Sequence, residues 1–231
     1  MRRVVMSRIH QPDQKKRAIT IIGIMRTATK SMVKPAATSI VEHYGRNPFL
    51  VLVSCILSLR TRDPVSLAAS HRLFAHARTP KTLMSLPHKT IADLIYPVGF
   101  YRQKTKQLLA LCAILLEKYQ GTVPHTEKEL MELPGVGPKT TALVLSEGFN
   151  IPAICVDTHV HRISNRLGLV KTKTVEDTET ALKKLLPKKY WSEYNKLMVM
   201  WGQNICVPIS PKCSICPLLP LCPQIGVVKH R

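Results

Sequence analysis

Residues 133–140 read Leu133-Pro134-Gly135-Val136-Gly137-Pro138-Lys139-Thr140. Pro134 fixes φ at a first turn position, and Gly135 and Gly137 supply backbone shapes that other residues resist. Pro138 suits the first turn of a following helix, where its missing N–H leaves no bond unmade. Upstream, Thr126-Glu127-Lys128-Glu129 has the spacing of a capping box and predicts the start of a short helix. The octet is therefore a glycine-rich hairpin between two helices. Bare amides at such a hairpin, and at the N-terminus of the next helix, suit a phosphate. Lys139 stands one residue into that second helix. The positive end of a helix dipole and partial burial both disfavour a charged amine there. A neutral amine is a nucleophile and forms a Schiff base at a sugar carbon. The plainer alternative is an exposed lysine that only touches phosphate.

Composition narrows the partners. The chain has 34 Lys+Arg against 14 Asp+Glu, a formal net charge of +20, so a polyanion is expected, with nucleic acid ahead of an anionic membrane surface. No apolar run reaches the length of a membrane span, and no membrane partner is expected. Aromatic residues make up only 5%, which argues against a base-stacking platform for single strands. With 231 residues, 45% of them hydrophobic, the chain can bury one large core or two small ones. Residues 1–17 are basic and nearly free of acid; residues 1–14 are expected to form a loose arm that adds phosphate affinity. This stretch lacks the apolar run of a secretory signal. Its Arg-rich, acid-poor composition leaves an organelle-targeting segment open, and with it the compartment.

Helix signals recur along the chain. Residues 15–32 place Ile22, Met25, Thr29 and Met32 at helical spacing. Asn47-Pro48, Asp63-Pro64 and Thr79-Pro80 each pair an N-cap type with a proline suited to a first turn. The run 49–59 is apolar all round, and its length and start signal favour a buried helix over a strand. Pro97-Val98-Gly99 predicts a turn. A long helix follows over 101–119, with Leu108, Cys112, Leu115 and Tyr119 on one face, and stops before Gly121. Helices are also expected over 138–148, from an Asp157 cap through Arg166, from Thr174 to before Pro187, and over 190–202. There is no alternating strand pattern and no hairpin-turn dipeptide, so the fold class is all-α.

Four of the seven cysteines crowd the C-terminus. Cys206, Cys213, Cys216 and Cys222 give C-x6-C-x2-C-x5-C, a set suited to an all-sulfur metal site. Zinc and a [4Fe–4S] cluster both take four cysteines, and the spacing does not choose between them. A pair of disulfides is the alternative, disfavoured without a secretion signal. Prolines at 208, 211, 217, 220 and 223 predict irregular backbone that a metal would hold in place. Cys55, Cys112 and Cys155 lie singly in apolar stretches and read as small core residues.

Three stretches together resemble the endonuclease III family. Residues 133–140 are similar to its helix-hairpin-helix. Val156-Asp157-Thr158-His159-Val160-His161-Arg162 resembles its catalytic aspartate segment, with Lys139 and Asp157 at the family spacing. The cysteine tail resembles its [4Fe–4S] loop. The order agrees, and the resemblance runs from about Lys15 to Cys222. It implies a base excision repair DNA glycosylase with AP lyase activity on oxidised pyrimidines, acting as a monomer on double-stranded DNA that carries damaged bases or abasic sites. It further implies two lobes with the active site in a cleft between them. One is a six-helix barrel over 41–151. The other is a discontinuous iron–sulfur lobe of 1–40 and 152–231. Lys139 would attack the sugar C1′, Asp157 would stabilise the positive charge that builds there, and one [4Fe–4S] cluster would sit on the four cysteines.

The resemblance assigns DNA contacts to Leu133, Gly135, Val136 and Gly137 of the hairpin and to Lys212 of the cysteine loop. Asp63 and His159 match supporting positions near the site. Arg60 stands where bacterial members often carry Gln, in the place that fills the gap left by a flipped base. Phe100 stands where they carry a Leu wedge; its alternative is a core aromatic. The loop 207–212 has a single basic residue where relatives often have several. Related adenine glycosylases usually carry Ser in place of Lys139, and a related thymine-mismatch enzyme carries Tyr. The competing functions are a mismatch glycosylase of the same superfamily, a non-enzymatic helix-hairpin-helix DNA binder, and an iron–sulfur redox or sensor protein.

Overall fold

The computed structural model describes residues 11–231, with side chains from Gln14 onward. The arm expected over 1–14 lies outside the described residues as far as residue 10; from Gln11 the backbone is helical. Among the described residues there are helices and turns and no strand, the all-α class expected. Two compact units divide the chain. One is Lys34–Cys155; the other joins the residues up to Val33 to Val156–Arg231. The first helix, α1 (Gln11–Ala28), belongs to the discontinuous unit and ends four residues before the expected limit.

The unit Lys34–Cys155 carries α2 (Ala36–Tyr44), α3 (Pro48–Ser58), α4 (Asp63–His76), α5 (Pro80–Met84), α6 (His88–Ile95), α7 (Tyr101–Tyr119), α8 (Glu127–Met131) and α9 (Pro138–Leu143). Its centre is α3. Asn47 Oδ1 accepts from the N–H groups of Phe49 (3.0 Å) and Leu50 (3.2 Å), and Pro48 opens the first turn. Every residue from Phe49 to Leu57 is buried, because α2, α4, α7 and α9 surround the helix. Each full Leu, Ile or Val side chain so buried contributes about 1.5–3 kcal/mol, so this apolar run dominates the unit's stability. Helix α9 opens into a π turn at Val144–Gly148, closed by Phe149 N–H to Val144 C=O at 3.1 Å. There Gly148 passes so near α3 that an added Cβ would stand 2.9 Å from Pro48 Cα.

Helix α7 has the expected limits. Beyond Tyr119 the backbone turns left-handed at Gln120 and Gly121, and the Gly121 N–H reaches Leu115 C=O at 2.7 Å. Cys55, Cys112 and Cys155 are core residues, as their apolar surroundings predicted. Burial pushes the thiols of Cys55 and Cys112 up to about 12, so both stay neutral.

In the discontinuous unit, α10 (Thr158–Arg166) and α1 pack against α12 (Trp191–Asn204), and α11 (Val175–Leu185) packs on α10. The core gathers Tyr194, Met198 and Trp201 from α12 with Ile21, Ile22 and Met25 from α1. Buried Tyr194 keeps its hydroxyl satisfied by Ser164 Oγ at 2.9 Å. Polar side chains of α1 fasten it to segments some 150 residues away. Gln14 Nε2 donates to the carbonyls of Gly168 and Leu169, both at 3.0 Å. Arg17 Nη2 donates to Leu167 C=O and, at 2.6 Å, to Leu221 C=O within the cysteine segment. Among the described residues no helix is long and apolar enough to cross a membrane.

Candidate active site

The hairpin is built from below. Thr126 Oγ1 accepts the Glu129 N–H at 3.3 Å and starts α8; the Thr126 hydroxyl points at the Glu129 carboxylate, so only half of the expected capping box forms. Val136 N–H closes the turn onto Leu133 C=O at 3.1 Å, and Gly135 sits at φ +73, where a side chain would be strained. Gln107 of α7 fills the space beside Gly135. The side chains of Leu133 and Val136 are buried in the unit's core. They anchor the hairpin, and what these two residues offer a ligand is main chain.

Gly137 is the N-cap of α9, with Pro138 in its first turn and Lys139 next. The Lys139 side chain is exposed. The partial burial expected to favour its neutral form is therefore not provided by the chain itself. Its charge is close enough to Cys55 to pull that thiol down, against the larger opposing effect of burial. Asp63, the first residue of α4, pushes the same thiol up, so Lys139 and Asp63 share the surroundings of Cys55.

Asp157 is the N-cap of α10. Its Oδ1 accepts from His159 N–H at 2.9 Å and Val160 N–H at 3.0 Å, and the side chain is nine-tenths buried. Two amide donors to one oxygen fix the carboxylate in position. His159, two residues on, presses on Gly202 of α12, where an added Cβ would stand 2.2 Å from its Nδ1. Arg162 Nη2 lies 3.1 Å from that Nδ1, and a guanidinium only donates, so Nδ1 is the acceptor. The same Nη2 donates to Cys206 C=O at 2.9 Å.

Sequence reasoning missed the arginines that hold the cysteine segment. Arg166, four residues after Arg162, donates through Nη1 to Val207 C=O at 2.8 Å and to Cys206 Sγ at 3.4 Å, and through Nη2 to Pro208 C=O at 2.6 Å. Arg166 C=O accepts Ile225 N–H at 3.1 Å and lies 3.6 Å from Cys222 Sγ. The i, i+4 spacing of the two arginines was the available signal. No disulfide joins any of the seven cysteines, against the disulfide alternative. Cys206, Cys213, Cys216 and Cys222 line one pocket, with Trp201 and Leu218 among its apolar walls. Among the described residues no three Cys, His, Asp or Glu side chains converge as they would on a single ion. Lys212 is half-buried against that pocket, and the 207–212 loop presents Ile209, 88% exposed.

Arg60 and Phe100 meet. Both hold left-handed backbone, at φ 54 and φ 59, and the Arg60 guanidinium lies 4.9 Å from the centre of the Phe100 ring. Phe100 is 61% exposed, so it is not a core aromatic. Beneath them lies Lys104, a buried lysine that the sequence did not single out.

A model of the HhH-GPD superfamily of base excision DNA repair proteins matches residues 53–188. The chain is 50% identical over 190 residues to endonuclease III of Thermotoga maritima, covering 80% of this chain and 89% of that protein. A non-covalent endonuclease III–DNA complex superposes with a TM-score of 0.79 at 37% identity, over 91% of this chain and 95% of that one. A trapped endonuclease III–DNA covalent intermediate superposes at 0.77 and 36% identity, over 91% and 96%. The fold and these likenesses together define a helix-hairpin-helix base excision repair protein. Within that superfamily, the chain belongs to the endonuclease III family.

Proposed function

We propose that this chain excises oxidised pyrimidines from duplex DNA with Lys139 as nucleophile and Asp157 as the carboxylate that stabilises the reacting sugar. Its class is that of its family: a DNA glycosylase with AP lyase activity that acts on duplexes with damaged bases or abasic sites. The observation that carries the residue assignment is the pair itself. A lysine stands one residue into the helix that leaves a glycine-rich hairpin, and a carboxylate is held by two amides at the N-cap of α10.

The chemistry follows from these groups. The lysine amine attacks C1′ as the C1′–N bond breaks, and the base leaves with the bonding pair and takes up a proton. Positive charge builds on the sugar meanwhile, and a fixed carboxylate stabilises it without reorganising. The ring opens to an iminium between Lys139 Nζ and C1′. Loss of a C2′ proton then expels the 3′ phosphate, and water returns the lysine. The nucleotide leaves the base stack to reach these groups. Arg60 and Phe100 occupy the gap it leaves, the main chain of residues 133–137 and Lys212 bind phosphate, and Asp63 and His159 support the site.

The four cysteines fit a [4Fe–4S] cluster: free sulfurs around one apolar-walled pocket, with Arg162 and Arg166 holding the backbone on one side. When bound, the cluster supplies cross-links to a segment rich in proline and short of other core contacts. Borohydride added during incubation with a duplex bearing one oxidised pyrimidine is expected to leave protein covalently attached to DNA. Release of free base with no trapped protein would instead indicate a glycosylase without lyase chemistry.

A further inference from the structure

We infer that Lys104 is a positioning residue that binds Arg60 and Phe100 into one two-pronged wedge. The inference rests on the reading of those two residues as fillers of the gap behind a flipped nucleotide.

Lys104 lies in the first turn of α7 and is only 4% exposed. A lysine is seldom buried unless its ammonium is satisfied. All three acceptors here are neutral oxygens at one place: Leu57 C=O at 2.8 Å, Leu59 C=O at 2.5 Å and Thr61 Oγ1 at 3.3 Å. The two carbonyls belong to the C-terminal end of α3, where a cation complements the helix dipole. They and Thr61 bracket Arg60, which is turned outward by its left-handed backbone. The main chain of Lys104 holds the other prong, since its N–H donates to Phe100 C=O at 2.9 Å. Thr61 Oγ1 completes the tie by accepting Gly99 N–H at 3.1 Å. At that contact an added Cβ on Gly99 would stand 2.9 Å from Arg60 C=O, so glycine lets the two loops touch.

One residue thus bonds to the chain on both sides of one prong and to the backbone of the other. Two left-handed residues cost energy unless their surroundings enforce them. Three charge-assisted bonds from one buried ammonium are the enforcing element. Burial alone brings the Lys104 ammonium down to about 8, and no acidic side chain is among the causes. This cation is therefore held by two backbone carbonyls and the Thr61 hydroxyl.

The test uses the full chain and a duplex with 2-aminopurine opposite a tetrahydrofuran abasic analogue, at saturating protein. Wedge insertion unstacks the 2-aminopurine and raises its fluorescence. Lys104→Met is expected to bind this duplex yet lose most of that rise, and to slow single-turnover excision of an oxidised pyrimidine from a second duplex by roughly tenfold or more, as small misplacements do. Lys104→Arg, which keeps charge and donors, is expected to restore part of both. A full rise at saturation with Lys104→Met would overturn the inference, because a merely structural lysine alters affinity or Tm and not the bound state. Should Lys104→Met fail to fold, Thr61→Val, which removes only the shared oxygen, must lose part of the rise; a full rise there overturns the inference as well. The underlying reading fails separately. If Arg60→Ala and Phe100→Ala each keep the full rise, there is no wedge for Lys104 to hold.

Discussion

Asp157 shows how one side chain carries a structural and a chemical duty together. As an N-cap it satisfies two amides of α10, and asparagine caps equally well. Asp157→Asn is therefore expected to keep its Tm while losing most single-turnover excision, since shape survives and charge does not. Undiminished excision by Asp157→Asn would leave the residue a cap alone. The Arg60–Phe100 stack gives a second prediction. A guanidinium fork suits the O6/N7 face of guanine, so Arg60→Ala should slow excision more opposite guanine than opposite adenine. Phe100→Ala should slow both alike, because a wedge reads space and not base edges. Equal losses for Arg60→Ala would make it a phosphate contact. The helix start before Lys139 and the cap at Asp157 were legible because each lies in a short motif with its own turn chemistry. The burial of Lys104 was not legible: a lone lysine in a helix reads as solvated, and only the meeting of three chain segments reveals its acceptors. Lys139, conversely, was expected to be partly buried and is exposed.

At the level of elements, start signals decided what could be read. Helices α3, α4, α7, α10 and α11 begin within a residue of their predicted starts, four of them at an Asn, Asp or Thr cap or an Asp-Pro pair and α7 after the Pro97-Val98-Gly99 turn. Helices α2 and α6 went unread. Each follows a proline, Pro35 or Pro87, with no side-chain cap, and spans only nine and eight residues. Packing on α3 and α7, which no local pattern announces, holds them in place. The cysteine segment depends on α10. Its carbonyls at Cys206, Val207 and Pro208 are held by Arg162 and Arg166. Removing a charged donor from part-buried carbonyls costs about 1–3 kcal/mol. Arg166→Ala is accordingly expected to lower the iron retained after purification while sparing the helices of Lys34–Cys155. The intact protein should carry iron and sulfide in the ratio of one cubane on four cysteines. Stoichiometric zinc without iron would overturn the cluster and leave the glycosylase standing.

Across the whole molecule, charge sets affinity. With a net +20, binding to duplex DNA should weaken steeply with salt; neutralising about six phosphates gives a log–log slope near −5. A nearly flat titration would contradict a phosphate-dominated interface. The proposed chemistry uses Lys139 of the unit Lys34–Cys155 and Asp157 of the discontinuous one. Its central claim is that Lys139 Nζ is the atom joined to DNA. The direct measurement is borohydride trapping by Lys139→Ala on a duplex containing one oxidised pyrimidine, beside lesion binding by the same protein. The trapped adduct is predicted to vanish while binding stays within a few-fold of wild type; an adduct formed in undiminished yield would show that another amine does the work.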